Sequence, residues 1–347
     1  MYEAVRIPAW NRHAMEEVRE LLKREELGLD PHLDYTAGIY EGDRLTATGS
    51  FYRNTLRCLA VDDAHQGEGL MATVVTHLVS ELFSRGEREL FIYTKKKAAQ
   101  SFASLGFYEI VRLDEVVFLE NRQHGFESYL ASLKRPKSRP GARVGAIVMN
   151  ANPFTLGHRY LVEQAAAQCD GLHLFMVSED VSDFPRSVRE RLIRAGVSDL
   201  KNVFPHPTGP YLVSSATFPS YFIREDEALT LAHAKLDAKV FSSIASALHI
   251  TDRFVGEEPL SPATALYNRA MAELLPQEGI RFHVLKRKSD DGVQPISASR
   301  VRALLREGKV EAVRPLVPDT TYAFLTGDEG RGIINRLQAQ AEVQQHP

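Results

Sequence analysis

The chain has 347 residues, 44% hydrophobic and 25% charged, which is long for a single core and suits two domains of ordinary globular make-up. A formal net charge of −3 excludes a whole-molecule basic field for gripping nucleic acid or an anionic membrane. No apolar run approaches the roughly 18 residues of a membrane helix, and the start "MYEAVRIPAW" lacks the basic-then-apolar layout of a secretory signal, so the expected location is the cytoplasm.

In chain order, "GIYEGDRLTATGSFYRNTLRCLAV" puts alternating runs on both sides of Glu41-Gly42-Asp43, which is hairpin chemistry, and Leu56 to Val61 make a further strand. After "DDAHQGEG", apolar residues fall at Leu70, Val74, Val75, Leu78 and Leu82. That helical spacing means a strand feeds a glycine-rich turn and then a helix. A strand over Glu89 to Thr94, a short helix over Lys97 to Leu105 and more strand over Phe107 to Leu119 complete an α+β domain with a mostly antiparallel sheet, residues 1–133. The stretch "LKRPKSRPGAR", Leu133 to Arg143, mixes prolines, a glycine and basic residues between two periodic regions and reads as an interdomain linker over 134–143. Cys58 and Cys169 fall on either side of it without CxxC or Cys/His spacing, and read as reduced core thiols.

From residue 144 to 347 strand and helix alternate. Val144 to Met149 is a strand, Gly157 to Cys169 a helix, Leu172 to Val177 a strand, and "SVRERLIRAGVSDL" a helix. Val203 to His206, a helix near Glu225 to Ala234, Phe254-Val255-Gly256, a helix near Thr264 to Leu274, Arg281 to Leu285 and the helix Ala298 to Glu307 follow. The tail "LQAQAEVQQHP" reads as an exposed helix end. Such alternation predicts a Rossmann-like, doubly wound parallel sheet covered on both faces.

In that architecture ligands sit beyond the carboxyl ends of the strands, where helix starts offer free N–H groups. The stretch "NANPFTLGHRYLVEQA", residues 150–165, lies there. Gly157 lets backbone approach an anion and His158 can give a proton or a positive charge to a phosphate; a simple Asn152-Pro153 turn with Thr155 as a plain helix cap fits the same spacing. "PISASRVRALLREG" places Ser297, Ser299 and Arg300 at a second helix start, with Val301, Leu304 and Leu305 as its apolar stripe. Two such sites in one domain suggest a polyphosphate held between them. The pair Glu257-Glu258 reads equally as a ligand for ribose hydroxyls or a metal and as a solvated turn, while Lys201, Tyr221 and Arg224 are further candidate ligands of types more often found as surface charges or packed aromatics.

"NANPFTLGH" resembles the (H/T)xGH signature of the nucleotidylyltransferase superfamily, and Ile296-Ser297-Ala298-Ser299-Arg300 resembles its ISxTxxR signature. With "TFPSYFIRE", "RFVGEEP" and "TALYNRAM" in this order, nearly the whole chain is similar to the citrate lyase ligase family. The resemblance implies a ligase that makes acetyl-AMP from ATP and acetate, releasing pyrophosphate. The acetyl group then passes to the thiol of a dephospho-CoA-type prosthetic group on the citrate lyase acyl carrier subunit. It assigns Thr155 and His158 to the phosphates, Ser297, Ser299 and Arg300 to the leaving pyrophosphate, and Asn150 and Asn152 to the adenylate side, with Mg²⁺ as the ATP counterion held by phosphate oxygens and water rather than by a protein cage. Thr155 stands where many relatives carry His and supplies no charge, so His158 and Arg300 carry more weight.

In the first domain, Gln66-Gly67-Glu68-Gly69-Leu70-Met71 resembles the (Q/R)xxGx(G/A) pyrophosphate turn of GNAT acetyltransferases, with Met71 where Gly or Ala is usual. In the later segment "AAQSFASLGFYEI", Phe102 occupies the place of the Tyr that protonates the departing thiolate, and a phenyl ring has no proton to give. The expectation is that Gln66, Gly67 and Gly69 hold the thiol-bearing arm while the second domain does the chemistry, or that this domain is a structural remnant. Two rival readings are a small-molecule adenylyltransferase acting on a nucleotide or phosphopantetheine, which leaves a dinucleotide-like product, and a nucleotide-sensing regulator, which catalyses no exchange.

Overall fold

A computed structural model describes residues 2–133, 140–180, 182–212, 226–257, 262–290 and 294–345. Most of the expected linker, together with Tyr221, Arg224 and Glu258, lies outside them. The chain forms two compact units, Met1–Ser128 with Ser215–Val240, and Tyr129–Ser214 with Phe241–Pro347.

The first unit holds strands β1 (Val5–Arg6), β2 (Tyr35–Glu41), β3 (Arg44–Tyr52), β4 (Thr55–Val61), β5 (Phe91–Thr94), β6 (Tyr108–Arg112) and β7 (Val117–Glu120), and helices α1 (Arg12–Arg24), α2 (Leu70–Ser84) and α3 (Ala99–Ala103). Its seven-stranded sheet runs β1-β2-β3-β4-β5-β7-β6. The β2–β3 hairpin turns where expected: Glu41 pairs with Arg44, and Gly42 takes the positive φ that such a two-residue turn demands. Only the β4–β5 pairing, Thr55↔Phe91 and Leu56↔Ile92, is parallel. The strand expected over Phe107 to Leu119 forms as two, β6 and β7, paired antiparallel around a turn in which Leu113 N–H bonds Val116 O. The α2 stripe expected from spacing is buried, and β3 meets it at Gly49, where a Cβ would stand 2.6 Å from Val74. Each such large side chain contributes about 1.5–3 kcal/mol on burial, so α2 holds without a capped start.

The second unit holds α4 (Gly125–Ser132), which begins in the first, then β8 (Val144–Met149), α5 (Leu156–Ala166), β9 (Gly171–Met176), α6 (Arg186–Gly196), β10 (Val203–Pro207), the part of α7 (Asp226–Leu248) from Phe241 onward, its earlier part belonging to the first unit, β11 (Asp252–Gly256), α8 (Pro262–Gln277) and β12 (Arg281–Leu285). A short ladder of β13 (Ser289–Asp290) and β14 (Gln294–Pro295) leads into α9 (Ala298–Arg306), α10 (Asp319–Thr326) and α11 (Asp328–Gln345). The five-stranded sheet is parallel throughout, in the order β10-β9-β8-β11-β12. It is the doubly wound sheet the alternation predicts, with its switch point between β8 and β11. Ile147, Met149, Leu172, Leu174 and Phe254 face a core completed by α5, α6, α9, α10 and α11. On the other face Phe175 packs edge-on against Phe241 of α7. Helix α7 runs well past the stretch expected near Glu225 to Ala234. No described helix is long and apolar enough to cross a membrane.

Candidate active site

The carboxyl edge of the parallel sheet is built around the start of α5. Thr155, fully buried, caps it: its hydroxyl accepts the His158 N–H (3.3 Å), and the His158 ring reaches back so that Nδ1 accepts the Thr155 N–H (3.1 Å) and lies 2.9 Å from Thr155 Oγ1. An Nδ1 that accepts a backbone N–H carries no proton, so the neutral ring has its proton on Nε2. Phe154, buried beneath, stacks on the ring at 5.9 Å. Although the residue keeps some exposed surface, enclosure of the ring, then the charges of Arg287 and Arg302, push its pKa down to about 4. The plain-cap reading of Thr155 is realised, and the same capping box leaves His158 Nε2 as a donor at the helix start. The correction is to charge: near neutral pH His158 offers a hydrogen bond from Nε2 and no positive charge.

Gly157 explains why α5 and α9 meet. A Cβ there would stand 2.4 Å from the carbonyl oxygen of Ile296, so only glycine lets the segment entering α9 lie against the first turn of α5. Ser297 caps α9 by accepting the Arg300 N–H (3.2 Å), and Ser299 is exposed in the first turn. The two helix starts expected to share a polyphosphate thus lie against each other.

The arginine that ties them is not the one singled out. Counted from Ile296, the spacing of ISxTxxR reaches Arg302, and Arg302 is the residue that donates to Asn152 O, pairs with Asp183 (2.9 Å) and acts electrostatically on His158. Arg300 lies half-exposed in the same turn. Sequence reasoning also passed over Arg189. It is fully buried and donates to the carbonyls of Phe184 (3.1 Å), Asn150 (3.1 Å), Val177 (2.8 Å) and Glu179 and to the Asn150 side chain (2.7 Å). It clamps the carboxyl ends of β8 and β9 to the segment that follows β9. The Asn150 amide bonds Ser182 (3.0 Å), and Asn152 Oδ1 accepts the Phe184 N–H (3.0 Å). Both asparagines therefore shape the rim of the site through that segment. Nothing in the spacing of "SVRERL" marks Arg189, because its role depends on carbonyls from other elements. Counting the signature through would have found Arg302.

Among the other candidates, Glu257 follows β11 at this edge and its carbonyl accepts Arg287 Nε (2.5 Å). Lys201 precedes β10 and so lies at the opposite edge, away from the site. Among the described residues no cluster of three or more His, Cys, Asp or Glu is disposed to hold a metal ion.

In the first unit, Gln66, Gly67 and Gly69 are exposed, and both glycines take positive φ with open space around them. They serve the backbone of the turn. No side chain caps α2, so the turn presents first-turn N–H groups. Glu68, within the turn, accepts the Tyr2 hydroxyl (2.8 Å). Phe102 is buried in the core beside Phe107.

The citrate lyase ligase C-terminal domain model matches residues 144–325, and the acetyltransferase (GNAT) family model matches residues 2–109. The chain is 42% identical over 316 residues to the [Citrate [pro-3S]-lyase] ligase of Klebsiella pneumoniae, covering 89% of this chain and 92% of that protein. The proteins of the same name from Escherichia coli (strain K12) and Haemophilus influenzae are each 38% identical, over 326 and 317 residues, covering 90% and 89% of this chain and 90% and 94% of theirs.

Proposed function

Because the chain belongs to the citrate lyase ligase family, we propose that it uses ATP to join acetate to the thiol of the prosthetic group on the citrate lyase acyl carrier subunit, and that the carboxyl edge of its parallel sheet makes the acetyl-AMP intermediate. An acetate oxygen attacks the α-phosphorus and pyrophosphate leaves. The thiol sulfur then attacks the acetyl carbon, AMP departs with the bonding electron pair, and the thiol proton passes to solvent. Neither step needs a protein nucleophile; positioning and neutralisation of charge suffice.

The observation that carries this reading is the close approach of Gly157 to the Ile296 carbonyl, which sets two helix starts side by side. There His158 donates from Nε2 to phosphate oxygen, and Thr155 positions that ring without itself reaching the ligand. Arg302 supplies the positive charge, while Ser297, Ser299 and Arg300 line the pyrophosphate side. Asn150 and Asn152 hold the rim on the adenylate side. Mg²⁺, as the counterion of ATP, would offset phosphate charge without a protein cage. Gln66, Gly67 and Gly69 of the first unit receive the diphosphate of the prosthetic arm, and Phe102, a core ring, contributes no acid. The protein acts in the cytoplasm, where its substrates are.

Acetate-dependent exchange of labelled pyrophosphate into ATP tests adenylate formation, and acetylation of the carrier thiol with release of AMP tests transfer. A dinucleotide-like product would instead establish an adenylyltransferase, and no exchange a regulator. Bulky residues at Gly67 and Gly69 are expected to leave exchange intact and slow transfer to the carrier, since tethering is worth orders of magnitude in effective concentration.

A further inference from the structure

Arg287, at the head of the chain between β12 and α9, has no role in the reading above, yet it brings a second cation to the same place. Arg287 follows β12, and its Nε donates to Glu257 O (2.5 Å) at the end of β11. The next residue, Lys288, accepts the Ile296 N–H (3.0 Å) on its carbonyl, and Ile296 in turn lies against Gly157. Arg287 is thereby fixed among the ends of β11 and β12 and the starts of α5 and α9, at the switch point where ligands of such sheets bind.

Half-buried, it shares this small region with Arg302, while Lys286 and Lys288 flank it on exposed positions. Burial pulls the pKa of both arginines down, with Glu257 working against this at Arg287 and Asp183 at Arg302. His158, the imidazole between them electrostatically, is held neutral. Like charges gathered where water is partly excluded are costly, and a bound polyanion offsets that cost.

We infer that Arg287 is a second cation of the nucleotide site, placed to hold the β- and γ-phosphates of ATP together with Arg302. This rests on the adenylating role proposed above. The test is calorimetric binding of ATP and of AMP to the full chain and to its Arg287→Gln and Arg287→Lys variants, with an NMR titration of the His158 ring in each nucleotide-free protein. Arg287→Gln is expected to weaken ATP binding about tenfold to a hundredfold, as loss of charge-assisted bonds does, and AMP binding by less than threefold. Arg287→Lys recovers part of the ATP affinity and proves that the site still folds. The His158 ring is expected to titrate at higher pH in Arg287→Gln than in the wild type, a shift that a residue bracing only the backbone would not cause.

ATP affinity within twofold of wild type in Arg287→Gln, an equal loss for AMP, or an unmoved His158 titration each overturns the inference alone. A wild-type chain that binds no ATP overturns the adenylating role and this inference with it.

Discussion

The two edges of the parallel sheet each gather a histidine and arginines, and they use them in opposite ways. At the amino edge Asp252, fully buried at the start of β11, accepts from Arg143 (2.9 and 3.1 Å), Arg281 (2.7 and 3.1 Å), His283 (2.6 Å) and Thr251 (2.6 Å). Burial opposes its ionisation, but the bonds from Arg281, Arg143, Thr251 and His283 win and hold the carboxyl well below its usual range. Arg143 and Arg281 share the one Asp252 carboxylate, and the result is a staple across β8, β11 and β12. At the carboxyl edge His158 faces Arg287 and Arg302 and stays neutral. One edge converges on a fully buried carboxylate; at the other Arg302 pairs with the half-buried Asp183 beside two helix starts. Clusters of similar composition thus differ in build, one closing on a buried carboxylate and the other set around helix starts.

That contrast can be broken first at His158. Replacing it by Ala removes the donor proposed to meet developing phosphate charge, and pyrophosphate exchange is expected to fall about 10²–10³-fold, while loss of its capping bond lowers stability by only about 0.5–2 kcal/mol. Exchange at the wild-type rate would take His158 out of the mechanism. At the other edge the pattern inverts. Asp252→Asn leaves partly exposed arginines without their carboxylate and is expected to cost about 3 kcal/mol of stability in denaturant titration, while exchange per folded molecule stays near wild type. If activity falls as steeply as stability, the amino edge is not merely a staple.

Gly157→Ala sharpens the comparison, since its Cβ would collide with backbone rather than a yielding side chain. Overpacking of this kind costs about 1–3 kcal/mol. Here the collision also separates α5 from α9, so ATP affinity is expected to drop together with the melting temperature; a variant that binds ATP normally would show that the two helix starts act independently.

The smallest expected effect concerns a histidine of neither edge. His173, fully buried in β9, lies 2.9 Å from His206 Nε2 through its Nδ1, and burial, then His206, lowers its pKa from 6.5 to about 3. The unfolded chain takes up this proton near 6.5 and the folded chain only near 3, so acid favours unfolding between those values and has no such effect above them. The slope from this group is at most about 1.4 kcal/mol per pH unit. Melting temperatures recorded from pH 7 to pH 5 are expected to fall, and to fall less in His173→Leu; equal slopes would assign the acid sensitivity elsewhere.

The sequence by itself determined what depends on local spacing. The stripe of α2, the Gly42 hairpin, the alternation that makes a parallel sheet and the caps at Thr155 and Ser297 all follow from periodicity and side-chain chemistry within a few residues. So does the placing of candidate ligands at helix starts. Tertiary structure alone decided what depends on groups distant in the chain. Gly157 answers to the Ile296 carbonyl, Arg189 to carbonyls of Asn150, Val177 and Phe184, Arg302 to Asn152 and Asp183, and Arg287 to the carbonyl of Glu257. The charge state of His158 belongs to the same class. Its residue type allows either form, and only the enclosure of the ring, the N–H that Thr155 aims at Nδ1 and the two nearby guanidiniums select the neutral one.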